Sequence, residues 1–464
     1  MSDTSTLFSE LPLRTEIQSV LPVLKYTQMT PIQASTLPHA LAGKDIVAKA
    51  QTGSGKTLAF SLAILNGLES ASRNANCLVL CPTRELAEQV AEQIRLVAKG
   101  IKNTKVLLLC GGTPMPPQIS SLQHGANIIV GTPGRVMDHV LKKRLHLAKV
   151  AHFVLDEADR MLDMGFEDEL KIINKELPRN KQTLLFSATF PPSVETIVES
   201  VVNNAVRVEI EASETPSNIE QQIYKVAETN RSNALCGLLT EQQPSSAIVF
   251  CITKKETQQV ASLLAEKGFP VVTLHGDLEQ RDRTEMLMQF SAGSARILVA
   301  TDVAARGLDI DDVPLVVNYR LSEDLDTHTH RVGRTGRAGK AGLACSLVSD
   351  AEEIYLARIE ERLNTTLRKM GAESLRFHAN RITAADYVCI SISGGKKEKL
   401  RPGDLLGALT QDANIPADDI GKIKITSTVS FMAIKPRSVK RAMNLFREGR
   451  IKGKRFRARK LNTL

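Results

Sequence analysis

A glycine-containing stretch, AQTGSGKT, follows an apolar run and opens a helical pattern. Gly53 and Gly55 would let the backbone turn tightly, so that its N–H groups face phosphate oxygens. Lys56 would place a positive charge on the outer phosphates, and the Thr57 hydroxyl could bind Mg²⁺. The strand–loop–helix context favours this interpretation over a plain Gly/Ser turn with an incidental lysine. The predicted nucleotide-binding loop comprises Ala50, Gln51, Thr52, Gly53, Ser54, Gly55, Lys56 and Thr57.

Acidic residues follow the apolar run HFVL further along the chain. A carboxylate at that strand end, Asp156, could hold the Mg²⁺ of the same nucleotide. Glu157 would then orient or deprotonate the attacking water. A solvated acidic turn is the structural alternative, but the phosphate loop upstream favours a hydrolytic site.

Short apolar runs alternate with helical patterns over residues 40–210 and again over 218–360. This alternation predicts parallel sheets covered by helices on both faces, with ligands at the carboxyl ends of the strands. The polar stretch IEASETPSNIEQQ is interpreted as a linker. We predict three domains, spanning 1–209, 218–368 and 386–464, with the stretch LRKMGAESLRFHANRITAAD leading into the last.

Positive charge is concentrated at the C-terminal end. The chain has 464 residues and a net charge of +9; residues 394–464 hold 18 Lys and Arg against 6 Asp and Glu, whereas the rest holds 42 against 45. This asymmetry indicates a polyanionic partner handled by one module. The order of elements in that module, βαββαβ, predicts a small split-βαβ sandwich. Its basic candidates for RNA contact are Lys396, Lys397, Lys452, Lys454 and Arg455.

The final stretch KRFRARKL, 454–461, alternates basic and apolar residues, which predicts a strand and not a loose tail. The seven scattered cysteines are interpreted as small buried hydrophobes in a reducing compartment, not as disulfides. We see no secretory signal and no membrane-spanning run, and no obligate protein partner is indicated. A cytoplasmic protein is expected.

Ten short motifs stand in the order found in the DEAD-box RNA helicases, and the chain resembles that family over about residues 8–360. The motifs are MTPIQ, AQTGSGKT, PTRELA, GG, TPGR, DEAD, SAT, QRDR, TDVAARGLD and HRVGRTGR. The resemblance implies two tandem RecA-like parallel-sheet domains. The βαββαβ order after them matches a small α+β domain like an RNA-recognition motif. The resemblance also implies RNA-dependent hydrolysis of ATP and local unwinding of short RNA duplexes.

The resemblance assigns further residues to ATP. Gln33 should bind the adenine edge, because a side-chain amide offers a donor and an acceptor together. Tyr26 should lie near the adenine face and Asp309 near the ribose. Arg334 and Arg337 resemble arginine fingers, which suit the charge of a transferring phosphoryl group. His330 and Arg331 should tie their segment to the first domain and to SAT, and the implied coupling residues are Asp159, Ser187, Thr189 and Arg331.

The resemblance also assigns an RNA track, in which loop-tip hydroxyls, glycines and arginines contact the backbone without reading bases. The implied contacts in the first domain are Thr83, Arg84, Gly112, Thr132 and Arg135, and those in the second are Gln280, Arg283, Thr301, Arg306 and Gly307.

The segments GGKKEKLRPGDLLGALT and ADDIGKIKI resemble the bacterial DEAD-box protein A (DbpA) type. In that subfamily the C-terminal domain binds a hairpin of 23S ribosomal RNA, which implies a role in assembly of the large (50S) ribosomal subunit. An RNA-recognition motif stacks bases on aromatic side chains of its sheet, and here only Tyr387 and Phe431 are candidates for that role.

Two other functions remain open at this point. A DNA helicase or translocase could use the same two-domain core, and an ATP-gated RNA clamp could nucleate protein assembly with little unwinding. Glu157, Arg334 and Arg337 favour turnover over clamping.

Overall fold

A computed structural model describes residues 6–50, 53–69, 72, 74–210, 218–305, 310, 312–336 and 340–463. The chain divides into two compact units that part near residue 212, and the second unit also contains the basic C-terminal segment. Among the helices that the structure describes, none has the length and apolar character needed to cross a membrane. All seven cysteines are buried and free, as the sequence predicted.

The first unit is built on a seven-stranded sheet in which every pairing is parallel. Apolar side chains cover both of its faces, in two separate clusters. Its strands are β1 (Ile46–Lys49), β2 (Cys77–Leu80), β3 (Val106–Leu109), β4 (Ile128–Gly131), β5 (His152–Asp156), β6 (Gln182–Ser187) and β7 (Val206–Glu209). Its helices are α1 (Thr15–Val23), α2 (Pro31–Leu41), α3 (Lys56–Asn66), α4 (Arg84–Val97), α5 (Met115–Gln123), α6 (Pro133–Leu141), α7 (Ala158–Asp163), α8 (Glu167–Lys175) and α9 (Pro192–Val201).

The second unit begins with another seven-stranded, all-parallel sheet. Its strands are β8 (Ile219–Lys225), β9 (Ala247–Cys251), β10 (Val271–Leu274), β11 (Ile297–Thr301), β12 (Leu315–Asn318), β13 (Gly342–Val348) and β14 (Arg368–Gly371). Its helices are α10 (Arg231–Gln242), α11 (Lys254–Glu266), α12 (Gln280–Ser291), α13 (Asp302–Ala305), α14 (Leu325–Val332) and α15 (Glu353–Arg362).

A four-stranded antiparallel sheet completes the second unit, in the order β16-β17-β15-β18. The predicted βαββαβ order is confirmed: β15 (Val388–Ile392), α16 (Pro402–Gly407), β16 (Ile420–Ile425), β17 (Ser430–Ile434), α17 (Val439–Glu448) and β18 (Ala458–Lys460). One apolar cluster joins both helices to the sheet. The fold class predicted from the sequence is therefore confirmed.

The opposite face of this small sheet packs on the preceding domain. Cys389, Phe431 and Leu461 are buried there against Met288 and Ala292. Arg459 of β18 forms an ion pair with Glu285 in the middle of α12. The Arg296 guanidinium donates to the carbonyl of Ala384 at 2.6 Å and to the carboxylate of Asp386 at 2.8 Å. We call Glu285, Met288, Ala292 and Arg296 the docking patch.

Two segments differ from the sequence prediction. The stretch after residue 368 does not simply lead away from the second domain: it forms β14, and Ala372 and Leu375 then join that domain's core. Likewise Ile219–Lys225, partly assigned to a linker, is a strand of the sheet. Both strands lie at or next to a sheet edge and mix polar and apolar residues, so they lack the continuous apolar run of a central strand.

The last strand, Ala458–Lys460, is shorter than the predicted 454–461, and a tight turn at 451–454 precedes it. The Ile451 and Lys454 backbones bond each other in both directions, at 2.8 and 3.0 Å. Lys452 and Gly453 between them have positive φ angles of 53° and 76°, which is typical of a two-residue hairpin turn. The predicted alternation is confirmed, since Phe456 is buried while Arg455 and Arg457 are exposed.

Candidate ATP-hydrolysis and RNA-binding sites

The predicted catalytic motifs meet at one part of the first sheet's carboxyl edge. Strands β5, β6 and β1 are neighbours in that order, and the acidic motif, SAT and the phosphate loop follow them respectively. Ser187, at the end of β6, contacts both flanking motifs: its carbonyl accepts from Ala50 N at 3.0 Å, and its hydroxyl accepts from Asp159 N at 3.2 Å. The parallel order of the sheet thus assembles the site.

The phosphate loop is held by the segment that precedes α2. The Thr30 hydroxyl donates to the Ser54 carbonyl at 2.7 Å, and the Gln33 amide donates to the Gly55 carbonyl at 3.0 Å. Gly55 has a φ of 97°, and a Cβ there would come within 2.5 Å of Gln33 Nε2. Only glycine is compatible with both this positive φ angle and the close approach of Gln33. Gln33, predicted to bind adenine, is therefore also in direct contact with the loop that would hold the phosphates.

Lys56 and Asp156 are both almost fully buried in this site. The Lys56 ammonium donates to the Ala50 carbonyl at 3.0 Å, at the entrance of the loop. Burial raises the pKa of Asp156 to about 6, while the positive charge of Lys56 opposes that rise. A buried carboxylate that needs a nearby cation suits a metal ligand.

Glu157 occupies a strained backbone position directly after β5. Its φ of 56° lies in the left-handed region, and its side chain is buried. Non-glycine residues in this conformation cost about 1–3 kcal/mol and concentrate at functional sites. The strain supports the catalytic role predicted for Glu157.

The acidic motif and SAT are in direct contact. The Asp159 carboxylate accepts from both the backbone N–H and the hydroxyl of Thr189, at 3.0 and 2.9 Å. The Ser187 hydroxyl donates to the Thr189 carbonyl at 2.8 Å. A shift of either motif would break several of these buried hydrogen bonds, so the two move together.

The predicted RNA contacts of the first domain lie along the other half of the same edge. Strands β2, β4 and β3 are adjacent, and Thr83, Thr132 and Gly112 follow them. Arg84 lies over Gly111, where a Cβ would approach its guanidinium to 3.3 Å. The Arg135 guanidinium donates to Thr113 O and to Gln118 Oε1, at 3.1 and 2.9 Å, and so ties α6 to the segment after β3.

In the second domain, an arginine and an aspartate connect the predicted RNA and ATP segments. Arg331 of α14 binds the Asp302 carboxylate with two nitrogens, at 2.6 and 2.7 Å, and donates to the carbonyl of Arg320 at 2.6 Å. Its side chain is fully buried, over the ring of Phe250. Within its own domain, the Arg331 side chain thus couples α14 to the end of β11.

Other predicted residues lie around this ion pair. Thr301 ends β11, and the Arg283 guanidinium donates to the Ala304 carbonyl at 2.7 Å, which ties α12 to α13. His330 and Arg334 line a small cavity with Phe250, Asp302 and Arg331. Predicted residues that fall outside the described part of the chain are Gln51, Thr52, Arg306, Gly307, Asp309 and Arg337.

His328 on α14 should make the second domain sensitive to acid. Its ring is buried, Nε2 contacts Gln221, and burial lowers its pKa to about 4. Between about pH 6.5 and 4 the unfolded chain therefore takes up a proton and the folded domain does not. As a result, the free energy of unfolding decreases as the pH is lowered through that window. Relative to His328→Gln, we expect the wild type to lose about 2 kcal/mol of unfolding free energy between pH 7 and 5.

The measurement is hydrogen exchange of the most protected β13 amides, which reports unfolding of this domain in the full chain. Gln is a suitable replacement because it can keep a hydrogen bond to Gln221. A difference between the two proteins that does not change with pH would contradict the prediction.

The basic residues predicted in the C-terminal domain are divided between two loops. Lys396 and Lys397 lie in a short helical turn between β15 and α16, while Lys452, Lys454 and Arg455 belong to the turn before β18. Phe431 is buried by the docking patch, and Tyr387 lies against Gly293. Neither aromatic side chain is placed as an open platform for bases.

Sequence reasoning did not assign a role to several residues that bind the predicted ones. Asp302 lies within the motif TDVAARGLD but was given no role of its own, and Glu285 lies in a sequence with an ordinary helical pattern. Arg231 is fully buried and is bound by Glu352 and by the carbonyl of Leu347. An arginine in a helix otherwise rich in apolar residues was the available signal for that last site.

Family models match the chain in three consecutive parts: a DEAD/DEAH box helicase domain over residues 30–197, a helicase conserved C-terminal domain over 230–339, and a DbpA RNA binding domain over 389–460. The ATP-dependent RNA helicase DbpA of Escherichia coli strain K12 is 45% identical over 438 residues, which cover 94% of this chain and 95% of that protein. The chain belongs to the DbpA family of DEAD-box RNA helicases.

A second relative, the ATP-dependent RNA helicase DbpA of Bacillus subtilis strain 168, is 36% identical and covers 98% of this chain and 99% of its own. Among solved structures, S. cerevisiae Dbp5 bound to RNA and ADP BeF3 matches with a TM-score of 0.72 and 32% identity, covering 80% of this chain and 96% of that one. This DbpA-family enzyme is thus an RNA helicase that hydrolyses ATP in dependence on RNA.

Proposed function

We propose that ATP hydrolysis takes place where β1, β6 and β5 end and that RNA lies along the ends of β2, β4 and β3. The observation that carries this proposal is the division of one sheet edge between two sets of motifs. Ser187 and Asp159 connect the phosphate loop to the acidic motif. A change at the nucleotide is therefore transmitted to SAT through hydrogen bonds that are already formed.

Mg²⁺ fits this site through Asp156 and Thr57. Asp156 Oδ1 is buried without a hydrogen-bond partner, so a lone pair remains for a cation. Within the described residues, no group of three His, Cys, Asp or Glu side chains is arranged to hold a metal by itself. A single carboxylate and a hydroxyl suffice for Mg²⁺ when the nucleotide phosphates supply further oxygens. The ion would neutralise charge on the outer phosphates.

Other residues of the chain bind the nucleotide and activate the attacking water. Lys56 binds the outer phosphates, and Glu157 orients the attacking water and accepts its proton. Gln33 binds the adenine edge while keeping its contact with the loop, Tyr26 lies near the adenine face and Asp309 meets the ribose. Arg334 and Arg337 stabilise the charge of the transferring phosphoryl group. His330 lines the same small cavity as Arg334.

RNA contacts in the two helicase domains come from loop tips at strand ends. These contacts reach phosphate and ribose, so they carry no sequence preference. Contacts to 2′-hydroxyls would favour RNA over DNA. The proposed residues are Thr83, Arg84, Gly112, Thr132, Arg135, Gln280, Arg283, Thr301, Arg306 and Gly307.

We further propose that the C-terminal domain directs the enzyme to a hairpin of 23S ribosomal RNA, and so to the assembly of the large ribosomal subunit in the cytoplasm. The match to the DbpA RNA binding domain and the excess of positive charge after residue 394 support this target. Because the sheet face is occupied by the docking patch, we place the RNA on the two basic loops, through Lys396, Lys397, Lys452, Lys454 and Arg455.

Replacing Lys452, Lys454 and Arg455 together with Ala should test the targeting. We expect binding of a 23S ribosomal RNA fragment to weaken about tenfold or more, and the slope of log affinity against log salt to fall by about 2, since three phosphate contacts are lost. ATPase activity at saturating generic RNA should remain nearly unchanged, because these residues are far along the chain from the helicase motifs.

A matched control removes three exposed cations from other parts of the same domain, Lys422, Lys440 and Arg447, also to Ala. Both variants lose three charges, so an equal loss of affinity would indicate only general electrostatic attraction. Unchanged affinity in the first variant would overturn the assignment of the terminal turn to RNA.

A further inference from the structure

A basic cavity of about 390 Å³ lies on the C-terminal domain, lined by Lys396, Lys399, Leu400, Arg401 and Lys452. We call it the basic notch. It is formed by the loop after β15 and by the turn before β18, whereas the docked face uses Cys389, Phe431 and Leu461. The residues that line the notch are therefore not the residues that pack against the preceding domain.

The loop that carries three of these cations is fixed by close packing. A Cβ on Gly395 would come within 2.5 Å of the Thr426 carbonyl, and one on Gly394 within 2.5 Å of the Phe456 ring. The N–H groups of Lys396 and Lys397 donate to the carbonyls of Thr426 and Ser427, at 2.9 and 3.0 Å. The paired glycines thus let the backbone of the lysine loop lie directly against the domain.

One cation of the notch is already engaged by an acid. The Lys452 ammonium forms an ion pair with the Asp404 carboxylate at 3.0 Å and donates to the Lys399 carbonyl at 3.2 Å. The same carboxylate oxygen of Asp404, Oδ2, also accepts from the backbone N–H of Arg401 at 2.8 Å and so caps α16. Asp404 is thus held in place whether or not Lys452 stays bound to it.

We propose that the basic notch binds RNA phosphates and that Asp404 is an internal competitor, which Lys452 must leave before it can bind a phosphate. This inference rests on the proposed RNA-binding role of the C-terminal domain. It adds Lys399 and Arg401 to the contact set and makes Asp404 a group that lowers the affinity of the notch for phosphate. A phosphate that binds Lys452 gains little at this position, because one ionic contact is exchanged for another.

The expected size of the competition follows from the exposure of the pair. The Lys452 and Asp404 side chains are 47% and 20% exposed, and partly exposed ion pairs change affinities by about two- to fivefold. Asp404→Asn should therefore tighten RNA binding by that factor, and the added net charge should steepen the salt dependence by about 0.7–0.9. Asn keeps an oxygen that can cap α16.

The test compares the full-length wild type with Asp404→Asn, Lys452→Ala and the double variant, using a labelled 12-nucleotide oligo(A) and a labelled 23S ribosomal RNA fragment. We expect Asp404→Asn to tighten binding of both probes when Lys452 is present. In the Lys452→Ala background the gain should be marginal, since no ammonium draws a phosphate to that position. Asp412→Asn, which removes an exposed acid elsewhere in the domain, should leave affinity unchanged.

Equal gains with and without Lys452, an equal gain from Asp412→Asn, or no gain from Asp404→Asn would each overturn the competitor role. Asp404→Ser, which also offers a capping oxygen, repeats the test if the Asn variant misfolds. A wild type that binds both probes equally would refute the proposed 23S target, yet the oligo(A) arm would still decide the role of Asp404.

Discussion

Glu157→Gln is expected to lower RNA-stimulated ATP hydrolysis by about 10²–10⁴, the usual range for loss of a general base. The amide can still orient water but cannot accept its proton. Lys56, Asp156 and the hydrogen bonds between Asp159 and Thr189 are untouched, so ATP-dependent RNA binding should persist. Without hydrolysis the enzyme should remain on RNA longer than the wild type does.

The measurement pairs steady-state phosphate release with the dissociation rate of a labelled RNA in the presence of ATP. Glu167→Gln is a matched control, because it removes the same charge from an exposed position on α8 of the same domain. ATP turnover by Glu157→Gln at a rate close to that of the wild type would refute the assigned role.

Arg334→Lys is expected to lower the turnover number by about 10³–10⁵, the usual contribution of an arginine finger. Lysine keeps the charge but loses the planar fork that matches a phosphoryl group. The Arg334 backbone is held by α14, since its N–H donates to the Arg331 carbonyl at 3.1 Å and its own carbonyl accepts from Val313 at 3.1 Å. The variant should therefore fold normally and bind ATP with little change.

Single-turnover hydrolysis and nucleotide affinity, measured separately, distinguish a catalytic defect from a binding defect. Arg362→Lys provides the same substitution at an exposed site on α15 of the same domain. If Arg334→Lys hydrolysed ATP within tenfold of the wild type, Arg334 would not contact the transferring group.

The central strands could be predicted from the sequence because each is a short apolar run that ends in a polar motif. HFVL and CLVL, for example, are fully recognisable in this way, and both lie in the middle of the first sheet. Strands β8 and β14 could not be predicted from apolar runs, because IEQQIYK and RKMG mix polar and apolar residues. Their pairing is decided by the neighbouring strand and not by their own pattern.

The same distinction holds for the site. Lys56, Asp156 and Glu157 could be predicted because their chemistry depends on local spacing after a strand. The contacts of Arg331 with Asp302 and of Arg459 with Glu285 join residues 29 and 174 positions apart. Nothing in a local pattern specifies such partners, and only the tertiary fold brings them together.

The docking patch has a consequence for exchanging modules between helicases. Helix α12 begins with Gln280 and Arg283 and carries Glu285 and Met288 one turn later, so a single helix serves both the motor and its accessory domain. Suppose that this C-terminal domain is joined to a foreign helicase core. The domain would then lose the contacts of the docking patch unless Glu285, Met288, Ala292 and Arg296 were introduced into that core as well. The structural unit formed by the C-terminal domain therefore extends beyond residues 386–464 and includes part of α12.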